Sequence, residues 1–176
     1  MKSPFFIFCA LLTLCSAGTA SARDLDVAAA QKQEIRHGQI GPRDTLIFYT
    51  FADQDAVLQL DIKHEGGKFT LTGKVQLFKE GTGAEEIGKW INNQHSCGLF
   101  PDVPKPEATV ALPADALSVV ESKLKEGAEM PESPVTGDKF QDYALKIEVS
   151  ELKMDGFRLK SFAADTGAFV KVGPAG

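Results

Sequence analysis

The chain has 176 residues, 19 of them basic and 24 acidic, which gives a formal net charge of −5 at pH 7. Hydrophobic residues make up 43% of the sequence, which suffices for a packed core, and the length fits one domain. A mildly acidic chain with dispersed charges argues against nucleic acid or an anionic membrane surface as the partner.

The first 22 residues have the three parts of a secretory signal peptide. Lys2 is the basic part, residues 5–14 form the apolar part, and Ala20-Ser21-Ala22 fits a cleavage site. The apolar run is shorter than the roughly 20 residues that span a bilayer, and no later run approaches that length. We therefore predict an exported protein, periplasmic or secreted, that is cleaved near Ala22 and has no transmembrane segment in the mature chain.

Residues 23–44 form a segment with a weak pattern, and two alternatives stay open for it. Asp24 or Asp26 is suited to cap a short helix, while the poor apolar stripe fits an extended, loosely held segment equally well. Gly41-Pro42 ends the segment. A single β-rich domain is predicted to follow, over residues 45–176.

The strongest pattern lies in residues 45–78, where apolar and polar residues alternate in three successive segments. Alternation indicates half-buried strands, because successive side chains of a strand point to opposite faces. Gly66-Gly67 supplies the positive φ angles of a tight hairpin turn. With these glycines in the loop, the predicted pairs are Glu65–Lys68, His64–Phe69, Ile62–Leu71, Leu60–Gly73, Leu58–Val75 and Ala56–Leu77.

The strand before this hairpin is predicted to join it through a four-residue loop at residues 52–55. Its pairs are then Phe51–Ala56, Tyr49–Leu58 and Ile47–Leu60. Leu46 and Phe48 make its second face apolar too, so we expect other elements to cover both faces. The second face of the hairpin is polar, with Gln59 opposite Lys74 and Asp61 opposite Thr72, and is predicted to suit contact with water.

A first helix is predicted over residues 83–93. Thr82 and Glu85 have the spacing of a capping box, in which each satisfies a free N–H group at the start of a helix. Three apolar residues then fall on one helical face, at Ile87, Trp90 and Ile91. The four prolines in residues 97–113 predict a semi-rigid loop that contains a short strand at 108–112.

A second helix is predicted after Pro113, in the segment ADALSVVESKLKEG. Its apolar stripe consists of Ala116, Leu117, Val120 and Leu124. Gly127 is the expected end. Both helices would pack on the sheet.

The last 34 residues return to alternating patterns. Residues 143–149 read as a strand, and Asp155-Gly156 is a turn signal that pairs Met154 with Phe157 and Leu152 with Leu159. A bulge near Ser150 or Glu151 would reconcile the two alternations. A final hairpin is predicted around Asp165-Thr166-Gly167. The predicted fold class is therefore α+β and mainly β, a single antiparallel sheet domain, sandwich- or barrel-like, packed by two short helices.

Signal-peptide cleavage would remove Cys9 and Cys15 and leave Cys97 as the single cysteine. A lone thiol in an oxidising compartment is usually buried and inert or pairs between molecules, and we favour burial. Cys97 with His95 is the sharpest chemical hypothesis, because a histidine can take the thiol proton and activate the nucleophile. The two are candidates only, since the sequence does not bring them into contact, and no catalytic residue is assigned.

Other candidate sites are weaker. Residues 83–89 match most of a phosphate-binding loop, but Trp90 stands where that loop needs Ser or Thr, and two glutamates within it would repel phosphate. The histidines and Cys97 show no metal-ligand spacing. We therefore predict no metal and no cofactor.

Because no residues have the spacing of a catalytic motif, the sequence favours a non-enzymatic exported binding protein. It would be an accessory factor or inhibitor that contacts a protein partner through sheet edges and loops. Two alternatives stay open. One is a thiol-dependent hydrolase that uses Cys97 with a histidine, and the other is a carrier that holds a small apolar ligand between the sheet and the helices.

Overall fold

The structure, a computed structural model, describes residues 21–36, 45–95, 100–126 and 137–174. These residues form eleven strands and one α-helix, so the prediction of a mainly β protein is confirmed. The strands are β1 Arg23–Leu25, β2 Gln31–Arg36, β3 Thr45–Phe51, β4 Ala56–Glu65, β5 Lys68–Leu77, β6 Ala108–Ala111, β7 Leu117–Leu124, β8 Asp138–Val149, β9 Leu152–Met154, β10 Phe157–Leu159 and β11 Phe162–Pro174. The helix is α1, Gly83–His95.

The strands form three sheets. The largest has five antiparallel strands in the order β2-β3-β4-β5-β6. A second has the order β11-β8-β7, and a small third sheet, β1-β10-β9, contains one parallel pair, β1 with β10. Within the described residues no sheet closes into a barrel, so that version of the predicted architecture is not formed there.

The predicted three-stranded meander is confirmed, together with its register. Glu65 pairs with Lys68 and Ile62 with Leu71, and on the other side Tyr49 pairs with Leu58. Gly66 and Gly67 have φ angles of 58° and 78°, as a tight turn between twisted strands requires. Local turn chemistry and side-chain alternation therefore determine the centre of the large sheet.

Both faces of β3 are buried, as predicted from its apolar pattern. On the first face, called the core face, Ile47 and Tyr49 belong to a cluster that also contains residues of the two smaller sheets. On the opposite face, called the helix face, Leu46 and Phe48 pack with Trp90 of α1. The core-face cluster draws on Leu25, Leu117, Leu145, Ile147, Val149, Phe157 and Leu159 from outside the large sheet.

The second predicted helix is wrong, because its residues form β7. Only Ala114–Ala116 turns, as a 3-10 helix, before the chain extends. Leu117 and Val119 point to the core face and pair with Val149 and Ile147 of β8. A bulge at Val120 then shifts the register. Pairing with a strand distant in sequence thus overrides a helical stripe that arose from chance spacing.

The predicted hairpin around residues 165–167 is also wrong. Residues 162–174 form one long strand, β11, that pairs with almost the whole length of β8. The Asp155-Gly156 turn is confirmed, with Met154 opposite Phe157. No bulge joins β8 to β9, since the chain leaves one sheet at Val149 and enters another at Leu152.

The segment before residue 37 is largely extended. Asp26 caps only a 3-10 turn at Val27–Ala29, with its carboxylate accepting from the Ala28 N–H at 3.0 Å. β2 then pairs antiparallel with β3 and extends the large sheet. Residues 23–36 are therefore mostly extended, as in the second of the two alternatives, and do not form an α-helix. Residues 1–20 lie outside the described residues, so the signal peptide stays a prediction.

Helix α1 begins where it was predicted, but its start is held by a residue from a distant loop. The Thr82 hydroxyl donates to the Lys79 carbonyl at 2.6 Å. Asp55 supplies the acceptors for the free N–H groups of Gly81 and Gly83, at 2.8 and 2.9 Å. A carboxylate at this end of a helix also interacts favourably with the helix dipole.

Replacing Asp55 with alanine is expected to lower the free energy of unfolding by about 1–2 kcal/mol, the usual effect of losing a helix cap. The alanine would also occupy a left-handed conformation, φ 45°, that favours Asp, Asn or Gly. Asp55→Asn is the matched control, since it keeps an acceptor and tolerates this φ. Urea unfolding followed by circular dichroism measures both variants, and equal losses would contradict the capping role.

Candidate functional site

A polar pocket of about 230 Å³ lies on the helix face of the large sheet, where β4, β5 and β6 run side by side. Its position follows from the register, because Gln59 is two residues beyond Val57, which packs toward α1. The next pair of neighbours toward α1 is Gln76 and Thr109, whose side chains are hydrogen-bonded. The lining residues are Gln59, Asp61, Thr72, Gly73, Lys74 and Ala111.

Gln59 is the unusual residue of this pocket. Its side chain is buried, with 2% relative exposure, although the alternation predicted contact with water. Its Oε1 has no hydrogen-bond partner among the described residues. Burying such an acceptor costs about 1–3 kcal/mol when it is left without a bond. The strand therefore carries a buried acceptor without a hydrogen-bond partner at a residue that lines the pocket.

The pocket has polar groups on two neighbouring strands, and both the Gln59 carboxamide and the Thr72 hydroxyl can donate as well as accept hydrogen bonds. Gln59 and Asp61 of β4 contribute amide and carboxylate oxygens. Their direct partners on β5 are Lys74 and Thr72, which carry an ammonium group and a hydroxyl. Ala111 of β6 stands opposite Lys74, and its small side chain leaves room above the strands.

The catalytic candidates from the sequence are not brought together by the described residues. Cys97 lies outside them, and His95 is the last residue of α1, with its side chain also outside the description. His64 stacks against Phe69, with ring centroids 4.9 Å apart. In the described part of the chain no group of three His, Cys, Asp or Glu residues is placed to hold a metal. Thiol chemistry at Cys97 stays a prediction.

The resemblance of residues 83–89 to a phosphate-binding loop has no structural counterpart. These residues form the first two turns of α1, so their backbone N–H groups are not arranged as a loop around an anion. Lys89 instead pairs with Glu86 and, at 3.2 Å, with Glu85. Hydrogen bonds to these two carboxylates raise the pKa of Lys89.

A second concave surface of about 390 Å³ lies between α1 and the following segment. It is lined by Lys89, Asn92, Phe100, Pro101, Asp102 and Val103. Phe100 is 58% exposed, and its backbone N–H donates to Asn93 Oδ1 at 3.0 Å. The space between α1 and the sheet, where an apolar ligand was one alternative, contains the packed rings of Phe48, Phe78 and Trp90. The carrier function stays a prediction.

A charged cluster joins β2 to the second sheet. The Arg36 guanidinium donates to Glu34 at 3.0 Å and to Asp142 at 3.1 Å, and it lies over the Phe169 ring. Gly167 makes this approach feasible, since a Cβ there would be 2.8 Å from Arg36 Cζ. Sequence analysis missed this cluster because Asp142 and Phe169 lie more than 100 residues from Arg36 in the chain.

Two pKa values reflect this environment. Burial acts to raise the pKa of Glu34, but hydrogen bonds from Thr166 and Arg36 and the charges of Arg36 and Lys32 outweigh it and hold the pKa below its usual value. Burial, with a smaller contribution from the Glu34 charge, raises the pKa of Tyr49. Each charged group of the cluster has a partner of opposite charge, as buried charges usually require, although Asp142 Oδ1 has no hydrogen-bond partner among the described residues.

Comparisons with protein-family models, curated proteins and solved structures found no match to this chain. Function is therefore inferred from the geometry of the described residues. No described helix has the length and apolar character to cross a bilayer. The polar pocket contains one of the buried side-chain atoms that have no hydrogen-bond partner among the described residues, Gln59 Oε1. A signal for it exists in the sequence, since Gln59 lies between the apolar residues of a buried strand.

Proposed function

We propose that the chain is an exported, non-enzymatic binding protein and that its binding site is the polar pocket on β4, β5 and β6. One observation carries this proposal, the buried Gln59 carboxamide whose Oε1 has no partner. A leucine at this position would avoid the cost of burial without a bond. A ligand that donates a hydrogen bond to Gln59 would remove the cost, and a functional role is one explanation for a buried unsatisfied group.

The pocket is a better candidate for the binding site than the edges of the sheets. β6 is only four residues long and is preceded by Pro106 and followed by Pro113. β7 is bulged and carries the charged pair Glu121 and Lys123. Short length, nearby proline, bulges and charge all discourage another strand from adding to an edge.

Two side chains of the edge strand β2 contact the second sheet. Lys32 donates to the Asp165 carbonyl at 3.3 Å, and Arg36 binds Asp142. These contacts bridge β2 to β11 and β8. We further propose that the two larger sheets pack face to face as a sandwich, which the shared core-face cluster supports.

Export is part of the proposal and has support from the start of the fold. Cleavage after Ala22 would leave Arg23 as the first residue, and Arg23 opens β1. Its guanidinium donates to the carbonyls of Asp55 and Phe78 at 2.8 and 2.7 Å. The predicted cleavage site therefore keeps every described strand. Export is tested by N-terminal sequencing of the protein recovered outside the cytoplasm.

Gln59→Leu tests the binding site. Leucine has a similar volume and removes an acceptor without a partner, so we expect the free energy of unfolding to change by less than about 1 kcal/mol or to rise. Native mass spectrometry of the purified protein is expected to detect a bound small molecule in the wild type and to find it lost in the variant.

Gln76→Leu is the matched control, since Gln76 is a buried glutamine on the same face of the neighbouring strand. The Oε1 atom of Gln76 accepts a hydrogen bond from the Thr109 hydroxyl. Losing this hydrogen bond should lower the free energy of unfolding by about 0.5–1.5 kcal/mol. The bound molecule should be retained. Identical spectra for the wild type and Gln59→Leu would contradict the proposal.

A further inference from the structure

We infer that Arg23 is a latch that proteolytic processing completes, an inference that rests on the export and cleavage parts of the proposed function. In the structure the backbone N–H of Arg23 donates to the carbonyl of Gly156 at 3.0 Å. Cleavage after Ala22 would turn this same nitrogen into the α-ammonium group of the mature chain. The hydrogen bond to Gly156 would then be charge-assisted, and such bonds are roughly twice as strong as neutral ones.

The covalent step is a hydrolysis by an endoprotease that cuts after small residues. Water adds across the Ala22–Arg23 peptide bond, the C–N bond breaks, and Ala22 keeps the new carboxylate. The proton of the carboxylic acid passes to the Arg23 amine, since α-amino groups are mostly protonated at pH 7. Ser21 and Ala22 are exposed and precede β1, so their removal takes away no described strand.

The latch connects β1 to three other segments of the fold. Besides the Gly156 carbonyl in the β9–β10 turn, Arg23 contacts the carbonyls of Asp55 and Phe78, to which its guanidinium donates at 2.8 and 2.7 Å. Asp55 caps α1, and the ring of Phe78 packs edge-on against Trp90 of that helix. The first residue of the mature chain would therefore link the small third sheet to the residues that position α1.

β1 is a short terminal strand that needs a fixed end. It has three residues and pairs in parallel with β10, and chain ends fray unless other contacts hold them. Leu25, the last residue of β1, is fully buried in the core-face cluster, and its carbonyl accepts from the Lys160 N–H at 3.0 Å. Holding Arg23 in place therefore also keeps a core residue in place.

Three purified forms of the protein test the α-ammonium group. The first starts with a free Arg23, in the second that amine is acetylated, and the third starts at Ser21. Acetylation keeps the N–H donor and removes its charge, whereas the third form moves the charge two residues away. We expect both altered forms to lose about threefold or more in the equilibrium constant for folding, measured by urea unfolding.

Hydrogen exchange of the Lys160 amide is the local readout, because this N–H is bonded to Leu25 of β1. We expect it to exchange about threefold faster or more in the acetylated form, since local opening of β1 becomes easier. Equal folding constants and equal exchange rates in the free and acetylated forms would overturn the inference.

Arg23→Met separates the side chain from the α-ammonium group. We expect the equilibrium constant for folding to fall about tenfold or more, because two hydrogen bonds from a charged group are lost. Arg158→Met is the matched control, since Arg158 lies on the adjacent strand β10 and forms an exposed pair with Glu151 that should contribute little. Equal effects of the two substitutions would contradict the latch.

N-terminal sequencing of the exported protein distinguishes failure of this inference from failure of the proposed function. A first residue other than Arg23 would overturn the inference and leave export in place. Protein recovered only from the cytoplasm, with its leader intact, would refute both.

Discussion

Replacing Trp90 with alanine is expected to lower the free energy of unfolding by about 3–5 kcal/mol. Trp90 is 6% exposed and fixes α1 to the sheet through edge-on contacts with Phe48 and Phe78, with ring centroids 6.3 and 5.4 Å away. Truncation would leave a cavity in the helix-face cluster that the surrounding strands cannot fill, because they are held by the sheet. This loss is a large part of the roughly 5–15 kcal/mol that stabilises a typical domain.

Urea unfolding followed by far-ultraviolet circular dichroism measures this loss. Trp90 is the single tryptophan of the chain, so its fluorescence reports on the docking of α1 in the wild type but is absent from the variant. Phe100→Ala is the matched control, since Phe100 is an aromatic residue of the same region that is 58% exposed. It should change the free energy of unfolding by less than about 0.5 kcal/mol. A comparably small effect of Trp90→Ala would show that α1 does not depend on this contact.

The parts of the fold that could be predicted from the sequence are those with local causes. The β4–β5 register follows from two glycines that accept positive φ and from an alternation that continues on both sides of them. The position of α1 follows from three apolar residues at helical spacing. In both cases the decisive residues lie within about ten positions of one another.

The two wrong predictions, the second helix and the last hairpin, concern segments whose structure is decided by pairing with a strand distant in sequence. Val120 and Leu124 complete a helical stripe in the sequence, yet both are 47% exposed in β7. The inward residues of that strand are instead Leu117 and Val119, which β8 selects from about 30 positions away. Asp165-Thr166-Gly167 resembles a turn, but β8 offers a complete partner strand through this segment. A strong partner thus overrides weak local preferences.

For the candidate site, the sequence predicts which residues pair across the strands, but it does not predict that Gln59 is buried. The partners Gln59–Lys74 and Asp61–Thr72 follow from the hairpin register alone. The burial of Gln59, at 2% relative exposure, arises from packing in the folded sheet and not from the alternation along β4. For this reason the sequence indicated a solvated polar face, whereas the structure has a pocket with an unused acceptor.

Replacing Arg36 with methionine is expected to lower the free energy of unfolding at pH 7 by about 2–3 kcal/mol. Arg36 binds Glu34 and Asp142, whose side chains are 19% and 12% exposed, and methionine would leave both carboxylates with fewer partners. The loss is below the about 3–5 kcal/mol of a fully buried pair because Arg36 is 28% exposed and Lys125 remains 3.1 Å from Asp142. Lys89→Met is the control, since Lys89 pairs with exposed carboxylates, those of Glu85 and Glu86, and its loss should leave the free energy of unfolding nearly unchanged.

The pH dependence distinguishes charge from packing in this cluster. The pKa of Glu34 is lowered in the folded state, so its stabilising contribution is present above the pKa of the unfolded chain and is lost as the pH falls through the folded value. Arg36 is one cause of that shift, and its removal should therefore matter most at neutral pH. We expect the difference between the wild type and Arg36→Met, measured by urea unfolding at pH 7, 5 and 3, to narrow as the pH falls below about 4. A difference that stays constant over this range would mean that Arg36 stabilises the fold by packing on Phe169 rather than through its charge.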